Sequence, residues 1–150
     1  MDSDVAGKIA DYLLDAGIDV YFDQYDRSIN RSDPNSVVTA IKRGIENSSH
    51  MLVLFSQNTF GSMWVPWEIG YAYCSQIALN VLRLKGVEKQ DLPDYLKVVK
   101  IILDIYDLNV LISILTGVTR DQLITEGRIS NYRNTQHPLI TFMDSFAGTL

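Results

Sequence analysis

The run Ser62-Met-Trp-Val-Pro-Trp-Glu-Ile-Gly-Tyr-Ala72 holds the side chains best suited to chemistry in this sequence. Trp64 and Glu68 are spaced so that a helix sets a flat apolar wall and a carboxylate one turn apart on one face. Tyr71 lies one further turn along and can share that face or simply pack. A carboxylate beside such a wall, shielded from bulk water, can stabilise positive charge that develops in a transition state. The run follows a very apolar stretch, Met51-Leu-Val-Leu-Phe55, and a polar turn, Ser56-Gln-Asn-Thr59. That order reads as buried strand, loop and helix start, and ligands in open α/β sheets bind at the carboxyl ends of strands. Ser56 ends this strand and Asp23 ends an earlier one, Ile18-Asp-Val-Tyr-Phe22, so both join the candidate site. Each residue also has a structural reading. Glu68 can complement a helix dipole, the tryptophans can anchor a core, Ser56 can cap backbone and Asp23 can be a turn residue.

Elements must position these groups. Val5, Ile9, Tyr12, Leu13 and Ala16 recur at helical spacing, with Ser3 or Asp4 as cap and Gly17 as the stop. The strand 18–22 follows, then a long polar loop from Asp23 to Ser36. Asp33-Pro34 opens the next helix, which carries Val37, Val38, Ile41 and Ile45 and ends near Asn47. Met51–Phe55 reads as a strand covered on both faces. A helix over about 62–77 places Pro66 in its first turn, where a missing N–H costs little. A strand at 79–84, a polar loop at 87–97 with a short helical turn, and a strand at 98–105 come next. A helix at 108–115 is ended by Gly117, residues 118–137 carry no clear pattern, and a closing helix is expected over 138–146.

Strands alternating with helices predict an α/β fold with a parallel sheet flanked by helices. The 150 residues read as a single domain, 1–150, with no linker or repeat. A doubly wound domain opens with a strand, whereas this chain opens with a helix that no strand feeds. The first strand is therefore expected to be absent from this sequence or supplied from elsewhere.

Net charge is −5 and no basic stripe is visible, which argues against nucleic acid and against a membrane surface. No apolar run reaches the length of a membrane span, and the start lacks the basic and apolar regions of a signal peptide, so a cytoplasmic location is expected. The one cysteine, Cys74, allows no intrachain disulfide and sits in an apolar run, which predicts a buried structural thiol. With two histidines besides, the inventory for a metal site is poor, and neither metal nor cofactor is expected.

Taken in order, several runs resemble a Toll/interleukin-1 receptor (TIR) domain of the bacterial kind. They are Asp2-Ser-Asp-Val-Ala-Gly-Lys-Ile-Ala-Asp-Tyr-Leu-Leu14, Gly17-Ile-Asp-Val-Tyr-Phe-Asp23, Ile41-Lys-Arg-Gly-Ile-Glu-Asn-Ser48, Met51 to Phe60 and Trp64-Val-Pro-Trp-Glu68. The resemblance runs to about Tyr73 and implies a flavodoxin-like TIR fold. The family's first strand, of the type Phe-Ile-Ser-Tyr/His-Ser, is its central one and helps form the nucleotide pocket. It has no counterpart here. The resemblance implies an NAD+ hydrolase or cyclase, with NAD+ as substrate rather than cofactor. The family's catalytic glutamate falls on Glu68 and its tryptophan on Trp64. The loop from Arg27 to Ser36 corresponds to one that gates the pocket and mediates self-association, so a homo-oligomer through TIR–TIR contacts is implied. Stand-alone bacterial proteins of this kind act in anti-phage defence, as in Thoeris systems, where the product signals to a separate effector.

One glutamate suffices for that chemistry. Glycosidases need a second carboxyl to protonate a poor leaving group. Nicotinamide in NAD+ already carries the positive charge and leaves as a neutral base. What remains is an oxocarbenium-like transition state that a carboxylate stabilises. Two other readings stay open: a non-catalytic TIR interaction module, and a nucleoside deoxyribosyltransferase-like enzyme that also uses a glutamate near a strand end.

Overall fold

Helix α1 (Asp2–Asp15) forms on the expected apolar spacing, with Ile9, Tyr12, Leu13 and Ala16 buried along one stripe. It begins at Asp2, so Ser3 and Asp4 stand in its first turn and do not cap it. Gly17 takes φ +92° just past its end. The Gly17 N–H donates to Leu14 O at 2.9 Å and the Ile18 N–H to Leu13 O at 3.1 Å, closing a Schellman motif. The computed structural model describes residues 2–21, 32–57, 59, 64–96 and 99–147. Ile18 to Tyr21 is not the strand its sequence predicts: it has no ladder among the described residues. Its burial nevertheless alternates, Ile18 and Val20 half-buried, Asp19 and Tyr21 exposed. The rest of that predicted strand and most of the following loop lie outside the described residues.

Asp33 and Pro34 start α2 (Pro34–Glu46) as expected, the Asp33 carboxylate accepting from the Asn35 N–H at 3.1 Å. Strands β1 (His50–Phe55), β2 (Ala78–Arg83) and β3 (Lys100–Ile102) form a parallel sheet in that order. Met51 pairs with Leu79 and Phe55 with Arg83, and Ile101 pairs with Val81. Helix α3 (Trp64–Cys74) makes the crossover from β1 to β2, and two short 3-10 turns (Lys89–Asp91 and Asp94–Leu96) precede β3. β3 is shorter than the expected 98–105 because Asp104 leaves the ladder to cap α4 (Ile105–Thr116). Its carboxylate accepts from Asp107 N–H at 2.7 Å and Ala147 N–H at 2.6 Å. Gly117 ends α4 with φ +71°, and Thr119 caps the short α5 (Arg120–Thr125) in a region without a clear sequence pattern.

The period-two alternation of the strands splits the core in two. Leu82, Leu84 and Ile102 face α1 and α4, while Val53, Phe55 and Val81 face Ile69 of α3 and Leu92 and Leu96 of the 3-10 region. Coverage of β1 is incomplete: Met51, Leu52 and Leu54 remain half-buried. Cys74 is exposed, against expectation, because it ends α3 while Ile69 and Ala72 carry that helix's burial.

The expected closing helix over 138–146 does not form. Pro138 has no N–H to donate, and the segment runs as successive turns. Its carbonyls serve other elements: Phe142 O accepts from Lys85 N–H at 2.7 Å, Asp144 O from Ile105 N–H at 2.9 Å and Ser145 O from Tyr106 N–H at 3.2 Å. Leu139 and Met143 are fully buried without a helix to present them.

Beside that segment a polar network crosses the core. His137 Nδ1 accepts from the Leu139 N–H at 3.0 Å, so in the neutral ring the proton sits on Nε2, which donates to the Tyr12 hydroxyl at 3.0 Å. That hydroxyl donates to Asn109 Oδ1 at 2.7 Å and accepts from Ser130 N–H at 3.0 Å. Burial lowers the His137 pKa below the ordinary 6.5 and raises Tyr12 to about 12. Because folded His137 resists protonation while the unfolded chain accepts it, its contribution to stability is full above pH 6.5 and is lost as pH falls further. Urea midpoints should therefore fall between pH 7.5 and pH 5, with a shallower fall in His137→Gln. Equal slopes in the two proteins would exclude this assignment.

Candidate functional site

β1 delivers Ser56 to its carboxyl end, where a tight turn takes it up. The Ser56 N–H donates to Thr59 Oγ1 at 3.0 Å, the Thr59 N–H donates to Ser56 O at 3.0 Å, and the two hydroxyl oxygens lie 3.3 Å apart. The hydroxyl thus has the local capping partner that serine favours at such turns.

α3 then begins at Trp64 and is continuous through Glu68, with Pro66 in its first turn. Trp64 and Glu68 accordingly stand one turn apart on a single helix; the Trp64 side chain lies outside the described residues. Glu68 is half-buried and lines a cavity of about 1120 Å³. Residues of β1, the segment Ile18–Tyr21, and Ile9 and Leu13 of α1 all line that cavity. Asp19 and Glu68 bring carboxylates to its wall, and His50, at the start of β1, and Arg128 line it as well. Arg128 is held there by donating from Nε and Nη2 to Ala16 O at 3.2 and 2.6 Å and from Nη1 to the Glu126 carboxylate at 3.1 Å. The hydrogen bond from Arg128 keeps Glu126 below its ordinary pKa.

Tyr71 turns elsewhere. Its hydroxyl donates to the Glu46 carboxylate of α2, its ring stacks on Trp67 with centroids 5.7 Å apart, and Lys42 Nζ lies 5.6 Å from its centroid. The Glu46 hydrogen bond, with added desolvation, raises the Tyr71 pKa. Of the sequence-predicted residues with described side chains, Glu68 lines the cavity, whereas Ser56 and Tyr71 do not. Asp23 lies outside the described residues. Sequence reasoning missed Asp19, Asn80 and Arg128 on the walls. Asp19 had a usable signal, alternating with Ile18 and Val20 and so pointing away from the α1 side. Arg128 had none, since its place depends on Ala16, far off in sequence.

No group of histidine, cysteine and acidic side chains among the described residues is arranged to hold a metal. Among them too, no helix is long and apolar enough to cross a membrane.

A family model described as TIR domain matches residues 1–108, which takes in every element from α1 to β3 and the start of α4. No curated protein and no solved structure gives a match. The parallel sheet flanked by helices agrees with the flavodoxin-like fold of that family. On the strength of a match over most of its length, the chain belongs to the TIR (Toll/interleukin-1 receptor) domain family.

Proposed function

We propose that the protein cleaves the nicotinamide–ribose bond of NAD+, with Glu68 as catalytic carboxylate. The observation that carries this reading is the placement of Glu68: on α3, one turn after Trp64, and on the wall of a large cavity beside β1. The C1′–N bond breaks and its electron pair leaves with nicotinamide as a neutral base, so no acid is needed. Glu68 stabilises the oxocarbenium ion that forms on the ribose and accepts hydrogen bonds from its hydroxyls. An apolar wall that keeps water back, the role the resemblance gives Trp64, would strengthen that charge. Attack by water, with loss of a proton, yields ADP-ribose; attack by a nucleophilic atom of the same nucleotide yields a cyclic isomer. The product serves as an immune signal to a separate effector, in a cytoplasmic system of the bacterial anti-phage kind. Assembly through TIR–TIR contacts, common in the family, supports turnover.

A second reading is a non-catalytic interaction module. It is favoured by the engagement of Ser56 in its own turn and of Tyr71 with Glu46, which leaves few predicted groups facing the cavity. Incubation with NAD+ at high protein concentration, followed by chromatography, separates the two. Release of nicotinamide with ADP-ribose or a cyclic isomer supports the enzyme. Intact NAD+ beside discrete oligomers establishes the module.

A further inference from the structure

The outer face of α3 is unlike that of an ordinary surface helix, which turns charged and polar side chains to water. The exposed residues of α3 with described side chains are Pro66, Trp67, Gly70, Tyr73 and Cys74, and none of them is charged. The neighbouring α2 shows the contrast, exposing Thr39, Lys42, Arg43 and Glu46. The one charged residue of α3, Glu68, is half-buried and lines the cavity instead. The exposed positions recur three and four apart, so they form one stripe along the helix. Trp67 is 37% exposed and Tyr73 73%. A continuous apolar stripe of this kind marks a surface that another molecule covers.

Gly70 lies at the middle of the stripe, and a Cβ added there would meet nothing within 4 Å. It is a notch open to the outside, where a second backbone can approach closely. The stripe is symmetric about that notch: Trp67 lies as far before Gly70 as Tyr73 lies after it, and Pro66 as far before as Cys74 after. A second α3 laid antiparallel across Gly70 therefore sets each Trp67 against the partner's Tyr73, the self-matching that a two-fold interface requires. The charges beside the stripe match in the same way. α2 is tied to α3 by the hydrogen bond from Tyr71 to Glu46 and by Lys42 over the Tyr71 ring. Antiparallel two-fold pairing keeps α2 on the same flank as the partner's α2, so each Lys42 turns toward the partner's Glu46. Parallel pairing puts the two α2 helices on opposite flanks and leaves those charges unmatched. We infer that the exposed stripe of α3 is a two-fold docking surface for a second copy of this chain, with the α3 helices antiparallel and crossing at Gly70. Lys42–Glu46 pairs close its rim. This names the surface for the assembly proposed above and rests on that part of the reading.

Sedimentation equilibrium of the full chain without nucleotide, from micromolar to millimolar concentration, should show a monomer–dimer equilibrium. Gly70→Arg fills the notch and should weaken the dimer at least ten-fold. Its melting temperature when dilute should not fall, since the added side chain meets only open space and glycine is a poor helix former. Tyr73→Ser should weaken the dimer to a similar degree. Lys42→Glu should weaken it at least ten-fold at low salt, and adding Glu46→Lys should restore most of the loss. Antiparallel crossing sets the two Cys74 residues about 12 Å apart along the axis, so a bismaleimide spanning roughly 15 Å should join them. A monomer at every concentration, a dimer that Gly70→Arg leaves intact, or a charge swap that restores nothing would overturn the inference. So would ready oxidation to a Cys74–Cys74 disulfide, which requires parallel helices. A monomer that still releases nicotinamide from NAD+ would overturn this inference alone, and a dimer without turnover would overturn the enzyme alone.

Discussion

Arg83→Met should lower the free energy of unfolding by about 3 kcal/mol, a large share of the roughly 5–15 kcal/mol that holds a domain together. Arg83 ends β2 and is 7% exposed, the one arginine in the buried core among the described residues. Nη1 donates to Val87 O at 2.8 Å, and Nη2 donates to Leu103 O and the Asp144 carboxylate, each at 2.9 Å. One side chain thereby joins β2, the loop after it, the residue before the α4 cap and the carboxy-terminal segment. Methionine fills similar volume but leaves two carbonyls and a carboxylate without their donor, and each lost charged hydrogen bond costs about 1.5–3 kcal/mol. The sum is discounted because the Asp144 side chain is 44% exposed and regains water. Asp144→Asn should for that reason cost only about 1 kcal/mol. Nε of Arg83 has no hydrogen-bond partner among the described residues. Urea unfolding of both variants checks the ranking; an Arg83→Met loss under 1 kcal/mol would show the clamp to be dispensable.

Glu68→Gln should reduce NAD+ turnover by about 100- to 1000-fold in kcat, the effect of removing one electrostatic stabiliser from a transition state. Glutamine keeps the shape and the capacity to accept from ribose hydroxyls, so KM should move far less than kcat. Stability should change by less than about 1 kcal/mol, the scale of a carboxylate near a helix start. Glu126→Gln, at an exposed carboxylate paired to Arg128, should leave turnover unchanged. Product chromatography with a thermal melt distinguishes the outcomes. A folded Glu68→Gln protein with wild-type turnover would remove Glu68 from the chemistry and favour the interaction module.

The amino-terminal two-thirds was legible where local rules decide. Asp33-Pro34 and Gly17 set helix ends through their own backbone chemistry. The apolar spacing of Val5 to Ala16 and the run Met51–Phe55 gave a helix and a strand because the periods 3.6 and 2.0 belong to the elements themselves. The one-turn relation of Trp64 to Glu68 needed only a continuous helix, and α3 supplies it.

What failed depended on partners distant in the chain. Leu139 to Phe146 has a helical pattern, yet its carbonyls are claimed by Lys85, Ile105 and Tyr106, whose N–H groups no sequence pattern ties to it. Ile18–Tyr21 has a strand's composition, but strand character is a property of a pair, and no described neighbour completes it. Tyr71 shares the spacing of a pocket residue and was drawn instead to Glu46 on another helix. The sequence by itself determined the helices with strong caps, the parallel α/β order and the Trp64–Glu68 spacing, because those rest on neighbours within a turn or two. Only the tertiary structure decided which side chains face the cavity and that Arg83 clamps the carboxy-terminal segment. Those outcomes depend on packing between segments as far apart as Tyr12 and His137.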